Sequence, residues 1–114
     1  MESPSTVFSY QQALGLLPEV RRITHETIQK IESMNHQIKS RDELEQKRVE
    51  LEAATEAIVS DWQRKIRALG CFPKDTWLVD WDSGDGYYCW QYPEPTIGHH
   101  HGYAEGFSGR IPIQ

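Results

Sequence analysis

Most residues of this chain that could do chemistry crowd into its last third. Asp80, Asp82, Cys89, Glu94, His99, His100, His101 and Arg110 lie within about thirty positions of one another. Carboxylate, thiolate and imidazole are the donors that zinc and iron accept. A carboxylate held at a turn can act as a general base, and a guanidinium beside flexible backbone can hold a carboxylate or phosphate. Their use depends on whether the fold brings them to one face.

The pattern around them predicts a small antiparallel sheet. Residues 77–82 (WLVDWD) read as a strand, Ser83-Gly84-Asp85-Gly86 as a turn, and residues 87–92 (YYCWQY) as the returning strand. Pro93-Glu94-Pro95 makes a second turn, with a third strand expected within residues 96–101. The shortest closures set Asp82 opposite Tyr87 and Tyr92 opposite Thr96. Period-two alternation then puts Trp77, Val79, Trp81, Tyr88, Trp90 and Tyr92 on a core face. The opposite face carries Asp80, Asp82, Tyr87, Cys89, Gln91, His99 and His101. In this register Asp80, Cys89 and His99 share one cross-strand row, and Asp82, Tyr87 and His101 the next. Such a face is either solvated, the commoner outcome for an antiparallel sheet, or a site. Cysteine is seldom left in water, so Cys89 is out of place on a solvated face.

The first seventy residues are helix material. Ser9 and Gln12 form a capping box, with Phe8 placed to staple onto Ala13. Tyr10, Ala13, Leu17, Val20, Thr24, Thr27, Ile31, Met34 and Ile38 then recur at three-four spacing. Pro18 lies inside that pattern, denies the Leu14 carbonyl its N–H and should kink the helix. A second box, Ser40 with Glu43, opens another stripe through Leu44, Arg48, Leu51, Thr55, Ile58, Trp62, Lys65 and Leu69, and Gly70 closes it. Two helices of about 45 Å at 1.5 Å per residue should form an antiparallel hairpin over residues 9–70. Leu16 and Ile23 are surplus to one seam. Either a second copy packs there, giving a homodimer through the helices, or the aromatic C-terminal segment covers them. The expected class is therefore α+β, in one domain: a helical hairpin, then a small sheet and ordered tail over residues 71–114.

Composition bounds the function. The 114 residues carry 12 basic and 17 acidic side chains, net −5, which argues against broad attraction to nucleic acid or anionic membrane. No apolar run is long enough to span a bilayer and no leader is recognised, so a cytoplasmic location is expected. Two cysteines make no disulfide framework. Divided after Gly70, the first part is near neutral at −1 (10 bases, 11 acids) and the second is −4 (2 bases, 6 acids). Asp80-x-Asp82-x-x-Asp85-Gly86 fails as a calcium loop, its third acid and glycine falling one place late.

Six short motifs are familiar in order. Residues 8–13 (FSYQQA) followed by Leu16-Leu17-Pro18 resemble the N-terminal signature of the bacterial and archaeal family called domain of unknown function 2203. Leu78-Val79-Asp80-Trp81 is similar to its LVDF strand, Cys89-Trp90 to its CW pair, and Glu94-Pro95 to its GEP turn. His101 falls on the histidine of its WH step, and residues 106–113 (GFSGRIPI) resemble its terminal GFAGRQPI. His99 and His100 stand where the family usually has Tyr and Trp, and Pro93 where it has Gly. The resemblance implies a shared polar set, Asp80, Cys89, Glu94, His101 and Arg110, and no activity. Taken together, the expected site binds a divalent transition metal, zinc or iron, through Cys89, His101, Asp80, Glu94 and His99, or a small anionic ligand through Arg110. Glu94 is the candidate catalytic base, and an Arg110 salt bridge to Asp80 or Glu94 is the structural alternative. The other class is a non-catalytic helical interaction or scaffold protein whose tail motifs only fold the sheet.

Overall fold

The computed structural model describes residues 6–113. Helix α1 (Tyr10–His36) starts at the expected capping box: the Gln12 N–H donates to Ser9 Oγ at 3.1 Å, and the Ser9 N–H to Gln12 Oε1 at 2.8 Å. It runs unbroken through Pro18. Helix α2 (Arg41–Ala68) is capped by Ser40, but the second box is only half formed, because Glu43 accepts from the Lys39 N–H instead of the cap's own. At its end Gly70 adopts φ 89°, a conformation that costs glycine nothing. The Gly70 and Cys71 N–H groups return to the Arg67 and Ile66 carbonyls, a Schellman closure.

The sheet is a five-stranded antiparallel meander: β1 (Phe72–Asp75), β2 (Leu78–Asp82), β3 (Tyr87–Gln91), β4 (His99–His101) and β5 (Ile111–Pro112), in that order. The sequence reading found three of these. The first and last escaped it because β1 contains Pro73 and β5 is two residues long. Trp77 is not in a strand. It sits at φ 60° in the β1–β2 turn, yet its ring still packs edge-on against Trp62, centroids 5.0 Å apart. The third strand is confined to the three histidines. The register is the expected one: Asp82 pairs with Tyr87, Asp80 with Cys89, Cys89 with His99 and Tyr87 with His101.

One sheet face packs on the hairpin near its open end. Ala13, Leu17, Val20 and Ile23 of α1, Trp62 and Ile66 of α2, and Val79, Trp81, Trp90 and Ile97 form the core. Each buried tryptophan removes roughly 200 Å² from water, about 5 kcal/mol before entropy is counted. Inside this core the Trp62 indole N–H donates to Thr24 Oγ1 at 2.9 Å. Ile23 is part of this core and Leu16 packs against it. Both are therefore at least partly buried within one chain, Ile23 lying close to Lys65, Ala68 and Leu69 at the end of α2. No helix among the described residues is long and apolar enough to cross a membrane.

Candidate metal centre

The other sheet face is buried too, and its polar residues meet there. Asp80 on β2 is 1% exposed, His101 on β4 is 4% and Cys89 between them is fully buried. The central position of β3 explains this, since it sets the strand of Cys89 between those of the other two. One donor atom from each of the three lies within 4.8 Å of the others. A tetrahedral centre with ligand bonds of about 2.0–2.3 Å needs donors about 3.3–3.8 Å apart, so separations near 4.8 Å would have to close and the 2.9 Å contact between His101 and Asp80 would have to open by about half an ångström.

Hydrogen bonding shows how the imidazole is held. His101 Nδ1 is 2.9 Å from the Gly102 carbonyl, an acceptor only, so Nδ1 carries the proton. Nε2 is 2.9 Å from Asp80 Oδ2. One further proton must therefore lie between imidazole and carboxylate, and a cation would replace it only with the two drawn apart. A metal-binding histidine is commonly oriented in this way, through its second nitrogen to a carbonyl. Asp80 Oδ1 is buried and receives no N–H or O–H hydrogen bond, which is costly unless something else engages it; the Cys89 thiol is a weak donor beside the carboxylate. Burial raises the Asp80 carboxyl above its usual range, with His101 opposing. Burial, with the Asp80 charge adding to it, pushes the Cys89 thiol up to about 12. As a thiol at neutral pH it is a poor nucleophile, but a metal would displace its proton.

A cavity of about 360 Å³ opens beside the cluster, bordered by Asp80 and His101 with Lys74, Tyr87, Tyr103 and Glu105. Two of the three donor residues thus border this cavity while remaining almost wholly buried. Sequence reasoning did not single out Tyr103, whose hydroxyl donates to Asp82 Oδ1 at 2.6 Å, or Glu105. The available signal was glycine: a side chain at Gly102 or Gly109 would strike Glu105.

The remaining candidates form a second, adjoining group. Arg110 Nη2 donates to both Glu94 oxygens, at 2.7 and 2.8 Å, and lies 2.7 Å from His99 Nδ1. Glu94 Oε1 also accepts from the Gln91 N–H at 2.7 Å. The Arg110 guanidinium stacks on Phe107, 4.6 Å from its centroid. The structure therefore brings Asp80, Cys89 and His101 together and ties Glu94, His99 and Arg110 into a clasp between the β3–β4 turn and the tail. His100 lies elsewhere, on the core-facing side of β4 against Tyr88.

The family model described as "Uncharacterized conserved protein (DUF2203)" matches residues 6–113. The chain belongs to this family. The match spans both helices, the sheet and the tail, so it includes every residue of the cluster and the clasp. No curated protein and no solved structure matches the chain. The family's description names no reaction.

Proposed function

We propose that this protein binds one divalent transition metal ion, zinc ahead of iron, through Asp80, Cys89 and His101. The observation that carries the reading is an Asp80 Oδ1 with no N–H or O–H donor, inside a buried set of three donor residues. Mixed sulfur, nitrogen and oxygen ligands suit zinc. Three protein ligands would leave one position open toward the cavity, and a bound ion would there polarise water or a carbonyl. Glu94, His99 and Arg110 hold the tail in this reading and do not ligate. An anion at Arg110 would have to displace Glu94. A cytoplasmic location fits, since both thiols are free and buried. The test is elemental analysis of untagged protein purified without chelator, followed by zinc titration. About one equivalent is expected, lost in His101→Ala and kept in His100→Ala. Less than a tenth of an equivalent after titration refutes the reading.

We also propose that two copies pair through the outer part of the hairpin. No side chain between residues 28 and 61 is buried, and Leu44 and Val49 remain 45% and 78% exposed. Residues 41–60 give a face about 30 Å long, and two helices about 10 Å apart give about 600 Å² per copy. That is near the lower end of stable interfaces. Arg48, with Glu52 and Glu56 one and two turns beyond, suits an antiparallel self-pairing. Light scattering at tens of micromolar should report twice the 13.2 kDa chain mass, and Arg48→Glu should halve it. A wild-type monomer refutes the pairing.

A further inference from the structure

A separate cleft lies away from the cluster, none of whose three residues lines it. It has a volume of about 610 Å³ and lies between the first half of α1 and the β3–β4 turn. Its floor and walls are apolar: Leu14, Leu17 and Pro18 on one side, Pro93 and Pro95 on the other. Its polar groups are Arg21, Arg22, His25, Tyr92 and Thr96, with no carboxylate among the lining residues. That is unexpected in a chain of net −5.

The surrounding contacts account for the charge. Glu94 stands between the two cleft prolines in sequence, yet its carboxylate is turned to Arg110 on the clasp. Arg22 is neutralised by Glu19 and by Glu26. Arg21 has no carboxylate partner among the described residues, and its one hydrogen bond is a long 3.4 Å contact to the Pro95 carbonyl. Four residues on along the helix, His25 Nδ1 is 2.8 Å from the Tyr92 hydroxyl, which leaves Nε2 available. A guanidinium fork with spare donors matches the geometry of a carboxylate. Apolar walls around a few polar groups, at this volume, are usual for small-molecule sites.

We infer that this cleft binds a small organic carboxylate, its charge paired with Arg21 and its apolar body laid between Leu14, Pro18 and the two prolines. Binding here needs no metal and is independent of the Asp80 cluster. The experiment is an amide NMR titration of the full-length chain with benzoate, using benzamide and inorganic phosphate as controls. Benzoate should bind with a Kd of about 1 mM or below, as expected for a fragment of this size. Its shifts should centre on residues 14–25 and 92–96. Benzamide, lacking the charge, and phosphate, lacking the apolar body, should each bind at least about tenfold more weakly. Arg21→Gln should weaken benzoate by a similar factor, while Arg22→Gln leaves it within about twofold. Arg21 is exposed, so its replacement leaves the core intact. No shifts in these segments, equal binding of benzamide or phosphate, or full binding by Arg21→Gln each overturns the inference.

Discussion

Replacing Asp80 by Asn separates the cost of the cluster from its use. The amide keeps the shape and can donate to His101 Nε2, which is 2.9 Å from Oδ2 in the native cluster. His101 Nδ1 keeps its bond to the Gly102 carbonyl. What disappears is a buried carboxylate whose second oxygen receives no N–H or O–H hydrogen bond. Isosteric exchange of one hydrogen bond for another changes stability by about 1 kcal/mol or less. Burial already disfavours the charged carboxylate here, so the metal-free variant should melt within a few degrees of the wild type. Metal is another matter. An ion present at a hundred times its Kd stabilises the native state by about 2.7 kcal/mol. In a domain of this length that corresponds to roughly 10 °C in Tm. Thermal unfolding with and without zinc, followed by circular dichroism, should therefore show that rise for the wild type and little or none for Asp80→Asn. Equal zinc-induced shifts in both proteins would refute the assignment of Asp80 as a ligand. A metal-free variant that loses several kcal/mol would refute the account of its energetics.

Two further predictions concern the scaffold. Thr24→Val removes the acceptor of the fully buried Trp62 N–H, which should cost about 1–3 kcal/mol in urea denaturation; no measurable loss would show that the indole finds another partner. Burial pushes the Cys71 thiol up to about 12, against 9.0 for an unperturbed thiol. The sign follows from proton uptake: between those values the unfolded chain has released its proton and the folded chain has not. Stability should thus fall as pH rises from 9 toward 12, by up to about 1.4 kcal/mol per pH unit for this one group. Unfolding free energies from urea, measured for wild type and Cys71→Ala at pH 8 and pH 10, should show the wild type losing about 1.4 kcal/mol more than the variant over that interval; equal losses would contradict it.

Local signals made most of the fold legible. Both helix starts rest on Ser side chains reaching forward three residues, and the hairpin's end on a glycine that alone tolerates φ 89°. The sheet register followed from turn length, because a one-residue slip would have carried Trp81 and Trp90 out of the core. The failures were equally physical. Trp77 obeys the alternation and packs on Trp62, but it does so from a turn, since a side chain can reach the core without its backbone joining a ladder. The edge strands β1 and β5 carry little periodicity. They are paired because β2 and β4 leave backbone groups that need partners.

At the site, the sequence proposed five metal donors, and the structure gathers three. Asp80 and Cys89 meet because the hairpin register pairs them, and that much was local. His101 pairs with Tyr87, one row away from Asp80, so a row-by-row reading favours His99. The imidazole nevertheless reaches diagonally to Asp80, where it is fixed by the carbonyl of Gly102. Their two strands flank β3, so this contact passes across the face of that strand beside the small Cys89 side chain. His99 is diverted by Arg110, a residue eleven positions later whose location depends on where the tail folds. Whether a histidine ligates or clasps is therefore decided by the tail, and its course has no periodic signal. The same tail turns an otherwise solvated sheet face into a buried one. Burial then makes a lone carboxylate oxygen costly, and that cost is the physical argument for a cation at Asp80.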